Sequence, residues 1–236
     1  MRVDAVFFPS ELKPSHLADR VVVVLDVLRA TTTMAAALAA GVREIFVYPD
    51  IESVNQAKMR MPGALACGEQ QCLKPEGFDL GNSPGDFGEQ HIGKKLLMCT
   101  TNGTKAILAA RGAARVFIGA IVNAKAVASK VRELGKDVTL LCAGTNGELA
   151  MEDVIGAGII AASLGEIEAT DAALMSRELY LACRDDLVRV LRSTAGGQNI
   201  IRANLEKDIE FAARINLLSA VGEVKEGEAI RVVRAT

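Results

Sequence analysis

The chain has 236 residues, of which 50% are hydrophobic and only 6 are proline, so it carries enough apolar mass to bury a large core, which excludes a disordered chain. Lys and Arg total 27 against 29 acidic residues, and a net charge of -2 excludes a general pull on nucleic acid or anionic membrane; an anionic ligand has to be caught locally. The longest apolar stretch, around 33–40, is far short of the ~20 residues that span a bilayer.

Arg2 and Asp4 precede a short run, Ala5 to Phe8, that lacks the length and cleavage site of a signal peptide, so a cytoplasmic protein is expected. Cys67, Cys72, Cys99, Cys142 and Cys183 show no zinc spacing and are expected as thiols. Along the chain, strands are predicted at 3–8, 21–26, 44–48, 64–67, 95–99, 114–119 and 137–142. They alternate with helices at 31–41, 52–61, 103–111, 123–134 and 149–164, which predicts a largely parallel sheet covered by helices.

After residue 166 the pattern becomes mostly helical, over Asp171 to Arg192 and Asn204 to Ala213. Leu217–Val221 and Ala229–Val233 then flank a charged turn and predict a C-terminal β-hairpin. The expected organisation is an α/β core over 1–165 and a helical segment plus hairpin over 166–236, packed as one compact unit. The segment 68–93 keeps neither period, and irregular stretches of that length are commonly functional.

Three apolar runs end in polar turns: Val21–Leu25 into Asp26-Val-Leu-Arg-Ala-Thr-Thr-Thr33, Leu96–Met98 into Cys99-Thr-Thr-Asn-Gly-Thr104, and Val138–Leu141 into Cys142-Ala-Gly-Thr-Asn-Gly147. Buried parallel strands read as continuous Val/Ile/Leu runs, and open α/β sheets bind ligands beyond their carboxyl ends, so all three turns are expected on one rim. Thr101-Asn-Gly103 and Thr145-Asn-Gly147 echo each other, each after a strand and before a helical pattern, which leaves an internal duplication open.

Asp26 with Arg29 suits metal-phosphate chemistry, because a carboxylate can hold Mg²⁺ and a guanidinium can fork onto phosphate oxygens. Thr31 and Thr32 at the following helix start add hydroxyl and amide donors; the structural alternative is a strand-end Asp that caps a helix and pairs with Arg29. Thr100, Thr101, Asn102, Gly103 and Thr104 form a donor-rich turn with Lys105 beside it, and Thr145 and Asn146 form a second. Glu152 and Asp153 are read either as Mg²⁺ ligands or as acids complementing a helix dipole. Asp79 to Pro84, with Asn82 and Ser83, is placed to reach across the rim or to form ordinary Asx turns. His16 and His91 have no triad-like setting.

The usual phosphatase signatures are absent. An aspartyl nucleophile lacks its second acid because position 28 is Leu, no Cys leads to an Arg at the cysteine-phosphatase spacing, and no phosphate-binding loop is present.

Taken together, Asp26–Thr33, Gly77–Pro84, Thr100–Thr104, and Cys142–Gly147 with Glu152-Asp153 resemble the 2-phosphosulfolactate phosphatase (ComB) family, in family order across nearly the whole chain. Asp185-Asp186 through Asp208 resembles its C-terminal part. The resemblance implies a three-layer α/β/α fold of the family's own, with a largely parallel mixed sheet. It implies an Mg²⁺-dependent hydrolase that converts (R)-2-phospho-3-sulfolactate to (R)-3-sulfolactate and phosphate, within coenzyme M synthesis.

On that reading Asp26, Arg29 and Asp153 are catalytic, and Asp26, Glu152 and Asp153 hold the metal. The Thr, Asn, Ser and Gly donors named above bind substrate. Phosphoaspartate formation and direct attack by water both stay open. The resemblance also makes a homo-oligomer plausible, with a small anionic substrate as partner. Gln70-Gln71-Cys72 departs from the more basic or glycine-rich stretch expected of relatives, which bears on the sulfonate contacts. Phosphatase action on another phosphorylated 2-hydroxy acid, and non-catalytic anion binding, are the rival readings.

Overall fold

A computed structural model describes residues 1–235. The core alternates strand and helix as the apolar runs require: β1 (Arg2–Val6), β2 (Val21–Leu25), α1 (Ala30–Ala39), β3 (Glu44–Val47), α2 (Ile51–Arg60), β4 (Leu65–Gly68), β5 (Lys95–Cys99), α3 (Gly103–Ala109), β6 (Arg115–Gly119), α4 (Ala124–Glu133), β7 (Val138–Cys142) and α5 (Met151–Ser163). There follow β8 (Glu168–Ala169), α6 (Asp171–Cys183), α7 (Leu187–Ser193), α8 (Ala195–Arg202), α9 (Glu206–Ala212), β9 (Gly222–Lys225) and β10 (Arg231–Arg234). No helix of the described residues is long and apolar enough to cross a membrane.

All these strands join one ten-stranded sheet in the order β4-β5-β3-β10-β9-β6-β2-β7-β1-β8. β2 is buried at every position because helices cover both of its faces. Val21, Val23 and Leu25 pack with α4, α5 and the later helices, whereas Val22 and Val24 pack with α1 and α3. Side chains alternate across a strand, so one valine run serves both cores of a three-layer fold. Each such side chain, fully buried, contributes about 1.5–3 kcal/mol.

The sheet is parallel in two blocks, β4-β5-β3 and β6-β2-β7-β1-β8, joined by the antiparallel pair β10-β9. Three consecutive antiparallel pairings, β3 with β10, β10 with β9 and β9 with β6, make the blocks run in opposite senses along the ladder. Sheets twist by about 20–25° per strand, so ends several strands apart, such as those of β5 and β2, need not lie along one line. The two ends do meet: a Cβ built on Gly103, just after β5, would lie 2.6 Å from Asp26 Oδ2, just after β2. The turns expected on one rim thus come together, although β5 belongs to a different parallel block from β2 and β7.

Three further expectations shift. The first hairpin arm is Gly222–Lys225 rather than Leu217–Val221, and the hairpin occupies the middle of the sheet. Residues 217–221 are instead tied to the turn before α4, through Leu218 N–H to Val122 O (2.8 Å) and Asn123 Nδ2 to Ala220 O (3.0 Å). The helical stretch 171–192 breaks at the polar Arg184-Asp185-Asp186, which forms a 3₁₀ turn. α8 was hidden by its Gly196-Gly197 pair, and β8, two residues long, by its brevity. With β8, β9 and β10 in the sheet, residues beyond 166 complete the same core that the earlier strands begin.

Candidate active site

The ends of β2, β3, β4, β5 and β7 open into a cleft of about 1180 Å³. Asp26 and Arg29 form its floor, Glu69 to Leu73 and Asn82 one wall, and Thr100 to Asn102, Thr145 and Asn146 another. α8 and the turn after it close the remaining side with Gly196, Asn199, Arg202, Ala203 and Asn204. The histidines lie elsewhere: His91 Nδ1 accepts from Gly88 N–H (3.2 Å) and His16 Nδ1 from Lys13 N–H (3.1 Å).

The turn after β2 is built by its threonines. Thr31 Oγ1 donates to Asp26 O (2.9 Å) and Thr32 Oγ1 to Val27 O (2.8 Å), and both side chains are fully buried. Their hydroxyls therefore shape the turn from behind the cleft wall. Asp26 Oδ1 accepts from Ala30 N–H (3.0 Å), whereas Oδ2 points at Gly103. Burial, reinforced by the negative charges of Glu69 and Glu152, raises the Asp26 carboxyl to about 7. A carboxylate so desolvated, with one oxygen open, is what a functional site displays and a plain helix cap does not.

Asp153 has both oxygens engaged, Oδ1 by Val27 N–H (2.7 Å) and Oδ2 by Gly144 N–H (3.1 Å). It pins the turn after β2 to the turn after β7 from a fully enclosed position. Burial first, then Asp26 and Glu152, raise its carboxyl well above the usual range. Glu152 is buried beside Gly196 of α8, where a Cβ would come 1.8 Å from its Oε1, and its Oε2 has no hydrogen-bond partner. Among the described residues no group of three or more His, Cys, Asp or Glu converges on one metal-sized point. Of Asp26, Glu152 and Asp153, the oxygens Asp26 Oδ2 and Glu152 Oε2 carry no hydrogen bond; Asp26 lines the cleft, whereas Glu152 is buried outside its lining, and both oxygens are hard donors suited to a divalent cation.

Arg29 is clamped. Its guanidinium donates to Asp208 Oδ2 (2.7 Å), Cys72 O (2.6 Å) and Ser83 Oγ (3.4 Å), and Ser83 Oγ also donates to Asp208 (2.8 Å). Ser83 therefore serves the clamp. Asn82, 3% exposed, lines the cleft with an Oδ1 that no protein donor reaches. Asp79 turns away to Lys58 Nζ and Ala66 N–H, at 2.7 and 2.8 Å.

After β5, Thr100 Oγ1 accepts from Thr104 N–H (3.1 Å) and Thr104 Oγ1 donates to Thr100 O (2.9 Å), a reciprocal lock that starts α3 and leaves Thr101 and Asn102 facing the cleft. Gly103 is required by contact, since a Cβ would also stand 2.5 Å from that of Ala30. Gly103→Ala is expected to displace Asp26, lower kcat/KM at least about tenfold and cost ~1–3 kcal/mol by overpacking, read by kinetics and thermal melts. Unchanged kinetics would show that the Asp26 contact has no bearing on turnover.

The two Thr-Asn-Gly turns meet, with Asn146 N–H donating to Asn102 Oδ1 (3.4 Å), yet they differ in form. Gly103 is already helical, whereas Asn146 and Gly147 have φ of 54° and 83° in a tight Thr145–Glu148 turn, four residues before α5 starts at Met151. Shared composition without shared conformation does not support a duplication.

The cleft's thiols are poor nucleophiles: burial holds Cys99 up at about 12 and raises Cys72. Glu69, Asp208, Asn199, Arg202 and Asn204 were missed as site residues. Glu69, which accepts from Thr101 N–H (2.7 Å) and Cys72 N–H (2.8 Å), follows β4 as Asp26 follows β2, and that position was the available signal.

A family profile described as 2-phosphosulpholactate phosphatase matches residues 6–227. The chain belongs to the 2-phosphosulfolactate phosphatase family. It is thereby placed among phosphoric monoester hydrolases. A "Probable 2-phosphosulfolactate phosphatase" of Carboxydothermus hydrogenoformans is 41% identical over 235 residues, covering 98% of this chain and 97% of the relative. Proteins of the same description from Thermus thermophilus and Symbiobacterium thermophilum are 38% and 36% identical. They cover 100% and 91% of this chain, and 99% and 95% of their own lengths.

Proposed function

We propose that the chain hydrolyses (R)-2-phospho-3-sulfolactate to (R)-3-sulfolactate and phosphate, with Mg²⁺, as a step of coenzyme M synthesis in the cytoplasm. The observation that carries the reading is the desolvated Asp26, raised to about 7 with Oδ2 open, where the strand ends converge on a polar cleft. The substrate descriptions of the relatives agree with it.

Asp26 and Glu152 would hold the cation, because each keeps a carboxylate oxygen free of protein donors while both oxygens of Asp153 are engaged, and Asp153 would hold Asp26's turn in place. When bound, Mg²⁺ supplies charge neutralisation at a phosphoryl oxygen and a more acidic water. Arg29, immobilised by Asp208, presents fixed positive charge to the phosphoryl group without reorganising. Thr101 and Asn102 offer hydroxyl and amide donors, and the Asn82 amide is placed to orient a water or a substrate oxygen. With the second acid absent at Leu28 and both cleft thiols protonated, attack by water is favoured over a covalent intermediate.

The test is phosphate release from racemic 2-phospho-3-sulfolactate with Mg²⁺ or EDTA, compared with 2-phospholactate and p-nitrophenyl phosphate. Metal-dependent turnover that prefers the sulfonate is expected. Release from phospholactate alone would replace the substrate, activity unaffected by EDTA would remove the metal, and no release from any ester would leave anion binding.

A further inference from the structure

We infer that Arg202, held by Asn199, is the residue that selects the sulfonate, so that the substrate is recognised by α8 as well as by the strand ends. The inference rests on the substrate reading above and deepens it. A substrate with phosphate, carboxylate and sulfonate demands positive charge at more than one point, yet the cleft has few sources. Arg29, held by Asp208 at 2.7 Å, is taken up by the phosphoryl group. Asp26, Asp50, Glu52 and Glu69 also line the cleft, so its wall is otherwise acidic. The remaining cations are Lys105 and Arg202, and neither forms an ion pair among the described residues.

Arg202 is the better placed for a sulfonate. Its Nη2 donates to Asn199 Oδ1, both residues line the cleft, and Asn199 stands one helical turn earlier on α8. That bond, at the exposed lip of the cleft, takes one edge of the guanidinium and leaves the rest of its donor fork for an oxyanion, a match that a lysine point charge does not make. Gly196, at the other end of α8, touches Glu152, and six residues of helix rise put Arg202 about 9 Å further along the axis. Arg202, Asn199, Cys72 and Arg29 all line the one cleft. In the substrate, the sulfonate-bearing carbon adjoins the phosphate-bearing one, so a reader of the sulfonate has to line the same cleft as the phosphoryl site, as Arg202 does.

The experiment compares wild type, Arg202→Gln, Arg202→Lys and Lys105→Gln. Binding of (R)-3-sulfolactate and of lactate is measured by calorimetry, and kinetics are measured on 2-phospho-3-sulfolactate and 2-phospholactate. Arg202→Gln is expected to weaken sulfolactate binding and raise KM for the sulfonated ester about tenfold, with kcat within about twofold and phospholactate kinetics unchanged. Arg202→Lys should recover part of the loss, and added salt should narrow the difference between wild type and Arg202→Gln. Equal losses on both esters, an unchanged sulfolactate affinity, or collapse of the preference in Lys105→Gln alone would overturn the assignment. If wild type cleaves neither ester, hydrolysis fails as a reading, while loss of sulfolactate binding in Arg202→Gln would still uphold Arg202 as the sulfonate's partner.

Discussion

Asp26→Asn is expected to remove nearly all phosphate release, with kcat lowered by roughly 10³-fold or more, while the metal-free variant at pH 8 is expected to melt at a higher temperature than wild type. Both effects have one cause. In the unfolded chain this carboxyl ionises near its ordinary 3.8, whereas in the fold burial and the neighbouring acids raise it to about 7. Between those values the folded state binds more protons than the unfolded, so stability falls as pH rises, and the contribution is complete only below the ordinary carboxylate range. Glu152 and Asp153 are displaced in the same direction, so the acid cluster as a whole opposes folding at neutral pH without a cation.

Asparagine keeps the acceptor for Ala30 N–H and has nothing to ionise. Thermal melts in EDTA at pH 5 and pH 8 should show a steep loss for wild type and a shallower one for Asp26→Asn, a difference of order a few kcal/mol. Added Mg²⁺ should raise the wild-type midpoint at pH 8 and leave that of Asp26→Asn nearly unmoved. Parallel pH curves, or turnover close to wild type, would take Asp26 out of both roles.

Asp208→Ala should be the most destabilising substitution at the site. The Arg29 and Asp208 side chains are 2% and 7% exposed, and removing the acid leaves a guanidinium enclosed without a counter-charge. Breaking one side of such a pair costs about 3–5 kcal/mol, because the remaining ion keeps its desolvation penalty, and at this chain length that lowers Tm by roughly 10 °C. Asp208→Asn, which keeps an acceptor for Arg29 and Ser83 but not the charge, should fall between. The double variant Arg29→Leu with Asp208→Leu should recover much of the stability and none of the activity, since apolar pairs replace buried ion pairs well but supply no charge to phosphate. A melt of Asp208→Ala within about 2 °C of wild type would mean that water reaches Arg29 and the clamp is not closed.

The strand-helix alternation to residue 164 was legible because each buried strand is a continuous apolar run and each helix carries its own period, so every core strand and helix appears within a few residues of its expected place. Among the site residues, Asp26, Arg29, Asn82, Thr100, Thr101, Asn102, Thr145 and Asn146 do line the cleft. Thr31, Thr32, Thr104 and Asp153 carry equally polar side chains at equally suggestive positions, yet their groups are engaged by nearby backbone. Local spacing cannot tell a donor aimed at a ligand from one aimed at its own turn.

Composition, apolar runs and turn chemistry were thus enough to set the fold class, the strands whose ends form the cleft and the acid on its floor, since all three depend on interactions within a few residues. The central place of the hairpin, the reversal of one parallel block, the Arg29–Asp208 clamp and the contribution of α8 were decided only in three dimensions. Those features join residues as far as 179 positions apart, and nothing in the local pattern of either partner specifies which distant group will share its buried volume.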